Sequence, residues 1–104
     1  RILELLRDLP QALLKKIDLE GYNLNTGKGR SDFAIMCSNT RNHVTHGSSD
    51  DKMKTFSLLE LIKVAKVLNM ISEYHVMKII GLEDKDIIDA ISYRYYYKNV
   101  LTNL

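Results

Sequence analysis

Between residues 57 and 80 a polar side chain returns at every third position: Ser57, Glu60, Lys63, Lys66, Asn69, Ser72, His75 and Lys78. Nearly every position between them is apolar. An α-helix has about 3.6 residues per turn, so a three-residue repeat falls about 60° short of a full turn. The polar stripe therefore winds around the helix, and the apolar surface winds with it. The pattern predicts the longest helix of the chain, starting at Thr55 or Ser57, running to about Ile80 and closed by Gly81 as its C-cap. Every side of such a helix is expected to be buried somewhere along its length. It should lie centrally in a bundle and change neighbours, or reach into a second copy of the chain.

The rest of the sequence fits the same class. With one proline, few glycines and few alternating apolar/polar runs, the chain reads as all-α, a bundle of about four to five helices. Its 104 residues make one domain, large enough to bury about two-thirds of its unfolded surface. Residues 1–104 are expected to be a single domain with loops at 21–30 and 47–54. Because Arg1 opens on what reads as the middle of a helix, the domain is expected to be the C-terminal part of a longer protein. No stretch is apolar enough for a bilayer span and no charged-then-apolar leader is visible. The one cysteine, Cys37, fits a reducing compartment, so a cytoplasmic location is expected. A net charge of +2 does not announce nucleic acid, and any basic surface must be local.

In chain order, Ile2, Leu3, Leu5, Leu6 and Leu9 have helical spacing until Pro10, which interrupts the run or opens a new first turn. Ala12, Leu13, Leu14, Ile17 and Leu19 continue it, giving one kinked helix or two short ones. Residues 21–30 hold three glycines and two asparagines and read as a loop. Lys28 and Arg30 make that loop basic, either a solvated connection or a flexible lip for a polyanion. Ser31 or Asp32 suits the N-cap of the next helix, whose apolar face is Phe33, Ile35, Met36, Cys37, Thr40 and Val44. Glu83 and Asp84 suit the first turn of a last helix with Ile87, Ile88 and Ile91 inside. The tail Tyr93-Arg94-Tyr95-Tyr96-Tyr97-Lys98 interleaves aromatics and cations. Such a run can stack bases, but packing on the core with wet hydroxyls is the commoner use and the one expected here.

The chemistry concentrates in Arg41-Asn42-His43-Val44-Thr45-His46. Arginine is a permanent cation with a fork of donors matched to phosphate, and histidine exchanges protons near neutrality. On an ideal helix Asn42 and His46 share a side, whereas Arg41 and His46 are about 140° apart. They converge only if the last turn unwinds, which Gly47 would favour, or if a partner surface completes the site. His43 either faces the same cleft as a phosphate ligand or second acid/base, or is solvated. His43-x-x-His46 with Asp50 or Asp51 lacks further ligands at metal spacing, so no metal and no cofactor is expected. Cys37 reads as a small buried hydrophobe and His75 as a surface residue.

The motif Arg41-Asn42-x-x-x-His46, the apolar helix before it, Leu58-Leu59-Glu60-Leu61 after it and Ile80-Gly81-Leu82 further on resemble the HEPN superfamily. The likeness is to its Apea-like families and spans about residues 30 to 90. That resemblance implies a helical bundle paired as a symmetric homodimer, with one motif from each chain facing a shared cleft. It also implies metal-independent RNA cleavage in defence against phage or other stress, triggered by a sensor portion elsewhere in the full-length protein. In those terms His46 is the catalytic histidine, Arg41 the phosphate-directed cation and Asn42 their polar support, with Lys28, Arg30 and His43 as candidate RNA contacts. The alternative is a non-catalytic helical module that dimerises or binds a nucleotide or partner. A helix-turn-helix DNA binder fits poorly, since no basic recognition helix stands out.

Overall fold

The long helix of the polar spiral forms where the spacing puts it. In a computed structural model, which describes residues 2–46 and 55–102, the helices are α1 (Ile2–Arg7), α2 (Gln11–Lys16), α3 (Gly27–His46), α4 (Leu58–Ile79) and α5 (Asp84–Ser92). A 3-10 turn, Tyr95–Tyr97, comes after α5. Among the described residues the only extended pairings are single bridges, Ile17 with Leu101 and Leu19 with Tyr22, so the fold is all-α.

A reciprocal capping box starts α4: the Ser57 hydroxyl accepts from the Glu60 N–H and the Glu60 carboxylate accepts from the Ser57 N–H. At the other end Gly81 takes φ +99°, and the N–H groups of Gly81 and Leu82 return to the carbonyls of Lys78 and Met77. This double closure stops the helix and needs a residue without Cβ at position 81. The burial of α4 departs from the expectation. Val64, Val67, Met70, Ile71 and Tyr74 are inside, but Leu58, Leu59, Ile62, Val76, Ile79 and Ile80 are exposed. Within one chain the helix buries a single side, because the polar spiral turns its apolar ends outward faster than this small bundle can follow them.

Pro10 separates two short helices. Its carbonyl accepts from the N–H groups of Leu13 and Leu14, which makes it the start of α2 rather than a kink. After α2 the chain becomes extended at Ile17 and pairs with the C-terminal end: Asp18 N–H reaches the Val100 carbonyl at 2.8 Å, and Thr102 N–H reaches the Lys16 carbonyl at 2.7 Å.

The loop expected at 21–30 is shorter than its composition suggests, and neither Ser31 nor Asp32 caps α3. The helix begins at Gly27 because Thr26 caps it, its Oγ1 accepting from the Gly29 N–H at 3.0 Å. The Asn23 side chain stabilises the preceding turn by accepting from the Asn25 N–H. Gly29 is there for space: a Cβ on it would run into the Asn23 carbonyl. Lys28 and Arg30 are thus first-turn helical residues and not part of a flexible lip.

The core is continuous across the bundle, with Leu6, Leu13, Leu24, Phe33, Val67, Met70, Ile87, Ile91, Tyr97 and Val100 fully enclosed. Ile87, Ile88 and Ile91 form the inner face of α5 as expected. Tyr22, Phe33 and Phe56 make a three-ring cluster with centroids 5.9–6.0 Å apart. That cluster fastens the chain as it re-enters at Phe56 onto the body of α3. Among the described residues no helix is long and apolar enough to cross a membrane.

Candidate active site at the C-terminal end of α3

Helix α3 carries the whole motif, and its backbone is helical through His46. Unwinding of the last turn, one of the two ways in which Arg41 and His46 could converge, therefore does not occur up to His46, and any role of Gly47 lies outside the described residues. Positions 41 and 46 remain about 140° apart around the helix, while positions 42, 43 and 46 fall on one side, 43 only about 60° from 46. One chain thus brings together the positions of Asn42, His43 and His46 and leaves Arg41 to the flank.

Arg41 is exposed and borders a shallow cavity formed with Ile2 and Leu3 of α1 and Ala34, Cys37 and Ser38 of α3. It forms no ion pair with any described residue. A guanidinium unpaired by any described carboxylate has donors suited to an anion arriving from outside. His43 is also exposed and Asn42 is half-buried. Cys37 is half-buried, and desolvation pushes its thiol up to about 11, so it stays protonated and packs as a small hydrophobe.

Sequence reasoning missed what holds this segment in place. Thr40, the one buried polar side chain among the described residues, accepts a hydrogen bond from the Phe56 N–H at 3.0 Å. It sits immediately before Arg41, so the outgoing and returning segments of the motif region are tied at their base. The available signal was a hydroxyl-bearing residue placed on an otherwise apolar face directly before the motif.

Lys28 and Arg30 are not brought to the motif. They lie at the other end of α3, about 17–20 Å of helix rise from Arg41. Lys28 pairs with Asp32 at 3.0 Å, and Arg30 donates to the Leu24 carbonyl at 3.0 Å, which makes Arg30 part of the loop's scaffolding. His75 corrects a further expectation. It is half-buried rather than on the surface, with Nε2 3.3 Å from the Leu5 carbonyl and its ring edge-on to Tyr74. No three His, Cys, Asp or Glu side chains among the described residues gather as a metal site, and Asp50 and Asp51 lie outside them.

The profile of the Apea-like HEPN family matches residues 2–86. That span is most of the chain and contains the motif, α4 and the start of α5, so this protein belongs to the Apea-like HEPN family. Neither a search of curated proteins nor one of solved structures returns a significant match. Residues 87–104, which hold the tyrosine-rich tail, lie beyond the family match.

Proposed function

We propose that this domain is an endoribonuclease that needs no metal, works as a symmetric homodimer, and serves as the effector part of a longer cytoplasmic defence or stress-response protein. The observation that carries the reading is Arg41, exposed and without an ion-pair partner among the described residues, beside a helix side holding positions 42, 43 and 46. Family membership supplies the class; the exposed cation supplies the specific inference.

RNA contains its own nucleophile, the 2′-hydroxyl beside the scissile phosphate. A catalyst must take that proton, return one to the departing 5′-oxygen and stabilise the extra negative charge of the phosphorane. Histidine suits both proton transfers, each contributing about 10²–10⁴-fold, and the arginine fork suits the charge. In this reading His46 is the acid/base, Arg41 binds phosphate, Asn42 orients them, and His43 is an additional phosphate ligand. The product is a 2′,3′-cyclic phosphate and a free 5′-hydroxyl. One chain offers a single motif histidine and keeps Arg41 about 140° from it, so a second chain is the natural source of the missing half. Leu58, Leu59 and Ile62 support that pairing, because they expose an apolar face where the chain returns from the motif.

The test is incubation of purified protein with single-stranded and structured RNA in EDTA, beside Arg41→Ala and His46→Ala. Each variant should lose at least about 10²-fold in cleavage. Cleavage that survives both substitutions, or that requires added metal, overturns the reading. The second reading, a non-catalytic dimerisation or ligand-binding module, draws on the same exposed α4 face and predicts that the wild-type protein never cuts RNA.

A further inference from the structure

The tyrosine-rich tail is not used as core. Only Tyr97 is buried; Tyr93 is 87% exposed, Tyr95 82% and Tyr96 44%. Three large rings left in solvent over four residues are an exposed apolar patch of the sort that marks a binding site. The rings are accompanied by cations. Lys98 Nζ lies 5.2 Å from the Tyr95 ring centroid, Lys66 Nζ 5.2 Å from that of Tyr96, and the Arg94 guanidinium 5.5 Å from that of Tyr97.

Beside these rings a cleft of about 460 Å³ opens between the end of α2, the end of α5 and the tail, lined in part by Lys16, Ser92, Tyr93, Arg94 and Lys98. Its charge is mixed but leans positive. Asp89 also lines it, and Arg94 is held by Glu73 at 2.5 Å, while Lys16 and Lys98 form no ion pair with any described residue. Lys16 is positioned by donating to the Ser92 hydroxyl at 3.1 Å, and the tail is pinned by the Thr102–Lys16 backbone bond. None of the lining residues borders the cavity beside Arg41.

We infer that this cleft, with Tyr93 on its wall and the exposed Tyr95 ring outside it, forms a second site, one that holds single-stranded RNA by stacking bases on Tyr93 and Tyr95 while Lys16 and Lys98 face the phosphates. The choice of polymer rests on the RNA-directed function proposed above, and the place rests on the tail's own geometry. Stacking on rings is tolerant of base identity, so the site is a general grip on unpaired strand and not a reader of sequence. Because cations flank the rings, a stacked base carries its phosphate toward positive charge, and occupancy falls as salt rises.

The test measures binding of a fluorescein-labelled, fully 2′-O-methylated RNA 12-mer to the whole chain, by anisotropy. Blocking the 2′-hydroxyl removes the nucleophile, so binding is read without turnover. Loss of a stacked base weakens such complexes about five- to a hundredfold. The double variant Tyr95→Ala/Lys98→Glu should therefore raise Kd at least tenfold and Tyr93→Ala about fivefold, while Tyr93→Phe and Tyr95→Phe stay within twofold of wild type. With six tyrosines and no tryptophan, intrinsic emission should be quenched on binding in the wild type and less so in the alanine variants.

Three results overturn the inference: no binding by the wild type; unchanged Kd in the alanine variants with an unaltered circular-dichroism melt; or a poly-glutamate peptide bound as tightly and with the same sensitivity. Failure of the ribonuclease reading shows up separately. A chain that cuts no RNA but binds it through the tail refutes that reading alone, whereas one that cuts RNA and ignores the tail substitutions refutes this one.

Discussion

The backbone N–H of Phe56 donates to Oγ1 of Thr40 at 3.0 Å, across sixteen residues of chain that include the entire Arg41–His46 motif. The bond is buried, and it joins the helix that carries the motif to the segment that leads into α4. Phe56 is further held by the rings of Tyr22 and Phe33. The base of the proposed site is thus fixed by one hydrogen bond and one aromatic cluster. The α3 residues beyond Thr40 inherit their placement from both.

Thr40→Val keeps the shape and removes the acceptor, leaving the Phe56 N–H buried without a partner. That costs about 1–3 kcal/mol, and thermal melts should show it. Thr40→Ser restores the acceptor and should recover most of the loss. If the bond also positions the motif, RNA cleavage by Thr40→Val should fall further than its folded fraction, measured at a temperature where the variant remains folded.

The outward apolar face of α4 predicts a concentration-dependent partner. Leu59 is 77% exposed and Ile62 52%, and both line a groove of about 480 Å³ with Phe56 and Val64. Charging this face with Leu59→Glu/Ile62→Glu should change little in the fold of one chain, because surface substitutions generally stay within about 0.5 kcal/mol. Light scattering should report a halved mass, and cleavage should fall at least about tenfold if two chains build the site. Mixing an Arg41→Ala chain with a His46→Ala chain tests the same point, since an intact site can arise only if each site draws on both chains.

How much of this was readable beforehand depends on whether the deciding interaction was local. The α4 boundaries were legible because the Ser57–Glu60 box and Gly81 are signals within a few residues of the ends they control. The split at Pro10 and the inner face of α5 come from equally local chemistry. The start of α3 was not legible, since glycines at 27 and 29 have the composition of a loop. Thr26 and the approach of the Asn23 carbonyl turn them into a first turn. Likewise, nothing in the spacing of Tyr93–Lys98 tells which ring is enclosed; Tyr97 is chosen by Asn69 and Glu73 on a distant helix. The Arg41–His46 motif was visible by residue type, and its ideal-helix angles hold through His46. A site completed by another chain leaves no pattern of its own within one sequence.

The close approach at Gly29 yields a substitution whose sign reverses the usual one. Alanine for glycine in a helix normally stabilises by about 1 kcal/mol. At Gly29 the new methyl meets the Asn23 carbonyl, and that carbonyl also accepts from the Thr26 hydroxyl. The backbone shift needed to relieve such a clash costs about 1–3 kcal/mol, which outweighs the gain. Gly29→Ala should lower Tm, whereas Gly27→Ala, whose added methyl would come no closer than 3.9 Å to the Arg30 side chain, should hold or raise it.

The junction of α4 and α5 makes stability depend on pH at both ends of the scale. Tyr74 donates to Asp84 at 2.7 Å and Lys78 pairs with the same oxygen at 2.9 Å. Lys78 first, then the tyrosine hydroxyl, holds the Asp84 carboxyl below the usual value of 3.8. A depressed folded value contributes stability that is present above pH 3.8 and is lost as pH falls through the folded pKa. Burial first, and then the Asp84 hydrogen bond, pushes Tyr74 up to about 12 from 10.0. A raised folded value contributes stability that is complete below pH 10 and is lost as pH climbs toward 12. Tyr97, raised by burial and by Glu73, steepens the same alkaline limb. Asp84→Asn should therefore lower Tm at pH 7 and converge on wild type as pH falls below 3.8 through the folded value, and Tyr74→Phe should flatten the decline between about pH 10 and 12. Tm measured by circular dichroism across that range checks both, and an acid limb unchanged in Asp84→Asn would show that the Lys78–Asp84–Tyr74 link contributes nothing to the fold.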